Sequence, residues 1–125
     1  MMGKKVLVVD DEEMIRKFLR IQLTTWGFEV REAGDGAQAV EQLRNDDFDL
    51  LICDIMMPNM DGWQVLKQVK SNSRTKDIPV IFLTAKDRKA DIVKGYELGA
   101  DHYITKPFTK AQLIEGLKLV SAHIR

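Results

Sequence analysis

The chain has 125 residues, 45% of them hydrophobic and 30% charged, and its 19 Lys+Arg balance 19 Asp+Glu. That is enough chain for one packed core. It leaves no net charge to draw nucleic acid or an anionic membrane, so neither is expected as a direct partner. Cys53 is the one cysteine, which excludes an intrachain disulfide and fits a reducing, cytoplasmic setting. No stretch approaches the ~20 apolar residues of a membrane helix, and residues 1–5 contain no signal-peptide core.

Val6-Leu7-Val8-Val9 predicts a buried strand over 4–9, closed by Asp10 and Asp11. A helix is expected over 12–25, with Met14, Ile15, Phe18, Leu19 and Leu23 as its apolar stripe and Gly27 at its stop. Residues 28–32 alternate apolar and charged side chains, as an edge strand does. A second helix reads over 36–45 and a third strand over 49–53, closed by Asp54. The loop Ile55 to Asp61 contains Pro58 and leads through Gly62 into a helix over 62–72. The fourth strand, 79–83, ends at Thr84; a helix over 87–98 stops at Gly99. The last strand, 101–105, ends at Lys106-Pro107, and a helix over 109–124 aligns Leu113, Leu117, Val120 and Ile124. Five alternations of strand and helix without a linker predict one α/β domain over 1–125, a doubly wound parallel sheet with right-handed crossovers.

Strands apolar on both faces are central strands, and such sheets bind ligands beyond the carboxyl ends of their strands. Asp10, Asp11, Asp54, Thr84 and Lys106 all fall there. Three carboxylates in a small site need a counter-charge. A hard divalent cation together with Lys106 supplies it, and the set outlines a phosphoryl-transfer site. Each residue has a plainer role. Asp10 and Asp11 could open a helix as Glu12 and Glu13 do, Thr84 could cap one, and Lys106 could be a solvated charge. The proline after Lys106 favours a cis bond that would fix the direction of its side chain.

Together, Val8-Val9-Asp10-Asp11, Asp54 with Met57-Pro58-Asn59-Met60-Asp61-Gly62, Thr84-Ala85, Gly99-Ala100-Asp101-His102-Tyr103 and Lys106-Pro107-Phe108 resemble the receiver domain of two-component response regulators, chemotaxis regulators among them. The resemblance implies a flavodoxin-like three-layer sandwich with five helices and strand order 2-1-3-4-5. It makes Asp54 the acceptor of a phosphoryl group from a sensor histidine kinase or a histidine phosphotransfer protein. It implies Mg²⁺ held by Asp11, Asp54 and the Met56 carbonyl, with Asp10 acting through water. Thr84 and Lys106 would bind phosphoryl oxygens, and Tyr103 would turn inward when Thr84 moves. The resulting protein is a signalling switch that catalyses only its own aspartyl phosphorylation and dephosphorylation, feeding an unknown output domain or effector.

Rival readings are a Mg²⁺-dependent hydrolase, a pseudo-receiver and a flavin-binding fold. The first needs a further acid or base, the second a missing site residue, and the third a phosphate loop after the first strand; the sequence offers none of these. Cys53 reads as core, His102 and His123 have no partner at zinc spacing, and Trp26 and Trp63 read as helix packing. Residues 44–47 and 70–74 read as solvated connections. Ile92, His102, Gln112 and Gly116 stand where winged-helix regulators of this family carry interlocking charges, which weighs against such a dimer without excluding it. Met14, Ile15 and Phe108 are expected in an apolar dock for the donor. Met56 and Lys86 flank the path of attacking water, and their character predicts a longer-lived phosphoryl group than in chemotaxis-type receivers.

Overall fold

The computed structural model describes residues 3–85 and 89–124. Five strands form one sheet: β1 (Lys5–Val9), β2 (Glu29–Ala33), β3 (Leu50–Asp54), β4 (Val80–Ala85) and β5 (His102–Lys106). Their order is β2-β1-β3-β4-β5 and every pairing is parallel. The alternating β2 takes an edge, as its pattern predicts. Five helices connect and follow the strands: α1 (Glu13–Thr25), α2 (Gly36–Asn45), α3 (Gly62–Lys70), α4 (Lys89–Leu98) and α5 (Lys110–Val120). A 3-10 turn, Ser121–His123, succeeds α5.

Alternation along each strand splits the core in two. Val6, Val8, Leu50, Ile52, Ile81, Leu83 and Ile104 face Leu19 and Leu23 of α1 and Leu113, Leu117 and Val120 of α5. Leu7, Val9, Leu51, Cys53, Val80 and Phe82 face α2 and α3, with Tyr103 and Ile92 at the α4 end. Each fully buried aliphatic side chain contributes on the order of 2 kcal/mol. These two layers fix the strand ends that carry the site.

Several boundaries differ from the sequence reading. Strands β1 to β5 each start one residue late, because the first residue read in each donates or accepts at the strand entrance instead of pairing. Helix α3 ends at Lys70, two residues early, where Ser71 caps it through its N–H to the Lys67 carbonyl. Helix α5 ends at Val120, so Ile124 reaches the α1–α5 layer from beyond the 3-10 turn. Met14 leaves the α1 stripe and stands 73% exposed. The connections at 44–47 and 70–74 are not merely solvated: Arg74 bonds Asp47 and the Arg44 carbonyl, and Lys5 grips Asp46 at 2.8 Å. Gly27 and Gly99 hold positive φ of 92° and 104° at the ends of α1 and α4, the conformation expected of helix-stopping glycines. Lys86 and the start of the helix read from residue 87 lie outside the described residues.

Candidate functional site

Asp10 follows β1 directly and is fully buried. Its Oδ1 accepts the Glu12 N–H at 2.9 Å, and Arg16 Nη1 donates to its carbonyl at 2.8 Å. The first turn of α1 is thereby folded over the end of β1. Asp54 ends β3 and is 5% exposed, with Oδ1 accepting the Met56 N–H at 3.3 Å. The loop after it is pinned tightly: Gly62 N–H donates to the Ile55 carbonyl at 2.8 Å, and a methyl at Gly62 would lie 2.7 Å from the Asp54 carbonyl oxygen. Asp61 caps α3 in a reciprocal box with Gln64. The Lys106–Pro107 bond is cis.

Lys106 joins the strand ends. Its Nζ lies 2.7 Å from Asp10 Oδ2, 3.3 Å from Asp54 Oδ2 and 3.8 Å from Glu12 Oε1. The approach to Asp10 Oδ2 is an ion pair outside hydrogen-bonding angles, so among the described residues that buried oxygen has no directed donor. Burial, and then the charge of Asp10, push the Asp54 carboxyl up to about 6 against the pull of Lys106. Burial likewise raises Asp10. Burial works to lower the Lys106 ammonium, but its contact with Asp10 and the charges of Asp10 and Asp54 together hold it above its ordinary value. One ammonium does not balance the acids around it.

Oxygens of Asp10, Asp11 and Glu12 come within 4.8 Å of one another. With the undirected Asp10 Oδ2 beside them, this all-oxygen set fits a hard divalent cation such as Mg²⁺. Glu12 enters this cluster although the sequence reading assigned it to the helix start; the unbroken run Asp10 to Glu13 was the available signal. Arg16 was also missed, and nothing in the spacing announces it. It links the Asp10 carbonyl to Glu32 on β2.

Thr84 lies inside β4, buried, with its hydroxyl 3.5 Å from the Ala85 carbonyl. It is therefore a strand-end hydroxyl, and the start of the helix it could cap lies outside the described residues. It pairs with Thr105 across β5, one step from the register of Ala85 with Lys106. Tyr103 is buried on the α4 side, its ring 5.8 Å from Phe82 and 4.9 Å from Tyr96. Met56 is 53% exposed beside Asp54. Phe108 and Ile15 are half-buried against the α1–α5 layer, with Phe108 meeting Phe18 edge-on at 5.8 Å. On the α4–β5–α5 face, Gln112 is consumed in a capping box with Thr109, and Gly116 lies against His102.

Residues 6–118 match the family described as response regulator receiver domain. The phosphate regulon transcriptional regulatory protein PhoB of Escherichia coli is 43% identical over 123 residues, 98% of this chain and 54% of that protein. The alkaline phosphatase synthesis transcriptional regulatory protein PhoP of Bacillus subtilis is 41% identical over 119 residues, 95% of this chain and 49% of that protein. The chain thus spans about half the length of the curated relatives it matches. Among solved structures, the chemotaxis response regulator CheY4 of Vibrio cholerae superimposes with a TM-score of 0.89 at 34% identity, covering 96% of this chain and 99% of that one. A buried acid pair bridged by one lysine at the carboxyl edge of a 2-1-3-4-5 sheet is thus found in a sequence that aligns over almost its own whole length with these proteins. The chain belongs to the receiver domains of two-component response regulators, phosphorylation-controlled switches of signal transduction.

Proposed function

We propose that Asp54 is the phosphoryl acceptor of this receiver, and that residues 1–125 act as one switching domain. The observation that carries the reading is the Lys106 bridge between Asp10 and Asp54. An Asp54 oxygen attacks the phosphorus of a phosphohistidine on a sensor kinase or phosphotransfer protein. The P–N bond breaks, the imidazole leaves with the electron pair and takes a proton, and an aspartyl phosphate remains. Water attacking that phosphorus later releases phosphate and restores the carboxylate.

Asp11, Asp54, the Met56 carbonyl and, through water, Asp10 would hold Mg²⁺, which when bound offsets charge between the carboxylate and the incoming phosphoryl oxygens. Lys106 neutralises a phosphoryl oxygen, and Thr84 moves to donate to another. The space Thr84 leaves favours the inward, buried position that the Tyr103 ring takes here, which couples the site to the α4–β5–α5 face. The partners are a cytoplasmic histidine kinase or phosphotransfer protein and an output domain or effector. The transcriptional relatives support a regulator whose nucleic-acid contact lies outside this domain.

Treatment with acetyl phosphate, with and without Mg²⁺, followed by peptide mass mapping, tests the assignment. A phosphoryl gain at Asp54 that requires Mg²⁺ is expected. Full labelling of Asp54→Asn, or equal labelling in EDTA, would sink it.

A further inference from the structure

Gly95 lies in the interior of α4, and its φ is not among the positive ones. The backbone gives no reason for glycine there, and alanine would hold the helix better. The reason lies across from it. A methyl built on Gly95 would fall on the Tyr103 hydroxyl and within contact of Cζ, with Trp63 Cζ3 3.1 Å away. The Tyr103 ring thus fills the volume that a side chain at position 95 would occupy. Phe82 and Tyr96 wall the same slot at 5.8 and 4.9 Å between ring centroids, and Trp63 backs Phe82 at 5.2 Å. Tyr103 keeps only 8% of its surface in solvent.

We infer that Gly95 is the positioning residue of the switch aromatic: its missing side chain opens the inward slot to Tyr103. The inference rests on the reading of Thr84 and Tyr103 as a coupled pair. A phenol ring is rigid, and the overlap involves its far end. Rotation about χ1, out of the slot, is the movement that clears it without displacing a strand or helix. A side chain at position 95 therefore closes the inward well and leaves the outward one, so α4 sets the Tyr103 equilibrium independently of Asp54.

The test is Gly95→Ala in the full chain, read by tyrosine-selective NMR. Tyr96 and Tyr103 are the two tyrosines, so Tyr96→Phe assigns the signals. Native Tyr103 should show ring-current-shifted signals that respond to acetyl phosphate with Mg²⁺. In Gly95→Ala these signals should move to solvent-exposed values and stop responding, while Asp54 labelling stays within about twofold of native, as for well-separated sites. A native response that persists in Gly95→Ala would overturn the role of Gly95 alone. No response in the native chain would sink the coupling, and the switch role of Gly95 with it. Should Gly95→Ala fold poorly, it is repeated in a Tyr103→Leu background, which has no ring to expel. Recovery of the Tyr103→Leu melting midpoint is expected, and a loss that persists there refutes the steric account.

Discussion

Asp54 is held where a carboxylate is uncomfortable. It is almost fully buried, close to the buried Asp10, with one lysine shared between them. Its folded-state value of about 6 exceeds the ordinary 3.8, so the folded protein binds this proton more tightly than the unfolded chain does. Stability from that preference is complete below the ordinary value and is lost as pH rises through 6. In metal-free buffer at pH 7, Asp54→Asn should therefore raise unfolding stability by about 2 kcal/mol, allowing for the partner Lys106 loses. The gain should vanish on acidification to about pH 4. Urea titrations in EDTA at both pH values measure it, and an unchanged or lower stability at pH 7 would contradict this account of the site. Met56 belongs to the same scale. Its exposed thioether offers water no strong hydrogen bond, so Met56→Asn should hasten phosphoryl loss several-fold, the worth of one hydrogen bond of about 1 kcal/mol to the attacking water. Decay of the labelled protein at the native rate would remove Met56 from the water path. Acids at strand ends were legible from the sequence because their types and places are local. Glu12 was not, since an acid in a first turn has a sufficient reason to be there. Nor was Gly95, whose reason is a ring eight residues later in the chain.

Elements were legible where one period dominated. The stripe of α5 predicted Leu113, Leu117 and Val120 as core, and all three are buried. Its end was not legible, because Ile124 keeps the spacing while a 3-10 turn has replaced the helix. In α1 the same period put Met14 on the apolar stripe. Met14 lies in the first turn of α1, four residues after Asp10, and is exposed. That exposure favours it as the donor's apolar contact, whereas Ile15 and Phe108 are partly committed to packing. Met14→Glu should slow phosphoryl transfer from the cognate donor roughly tenfold, the worth of one modest apolar contact. Labelling by acetyl phosphate should not change, and equal slowing in both assays would refute docking. At the other end of the site, Thr109 opens α5 through its capping box with Gln112. Thr109→Ala should cost about 1 kcal/mol, read as a lower urea midpoint; no change would show that Gln112 and solvent suffice.

At the scale of the whole molecule, alternation of strand and helix predicted the class and the edge position of β2. The full order came from family resemblance, because periodicity carries no information about which strands pair. What the sequence could not display is how the two layers share one sheet. Val6 and Val8 point to α1 and α5, while Leu7 and Val9, between and after them in the same strand, point to α2 and α3. Neither layer can be lost while the strand keeps its place, for the strand would then expose a fully apolar face. The layers should therefore unfold together, as expected of a small single domain. The protein carries its own reporters. Trp26 packs on the α1–α5 layer and Trp63 on the α2–α3 layer, and they are the two tryptophans of the chain. Trp63→Phe leaves a probe of the first layer, and Trp26→Phe a probe of the second. In each variant the fluorescence midpoint in urea should coincide with the far-ultraviolet circular dichroism midpoint of that same variant, whatever the substitution costs. If either tryptophan reports its layer lost before the helices melt, the two cores are separable and residues 1–125 do not behave as one cooperative unit.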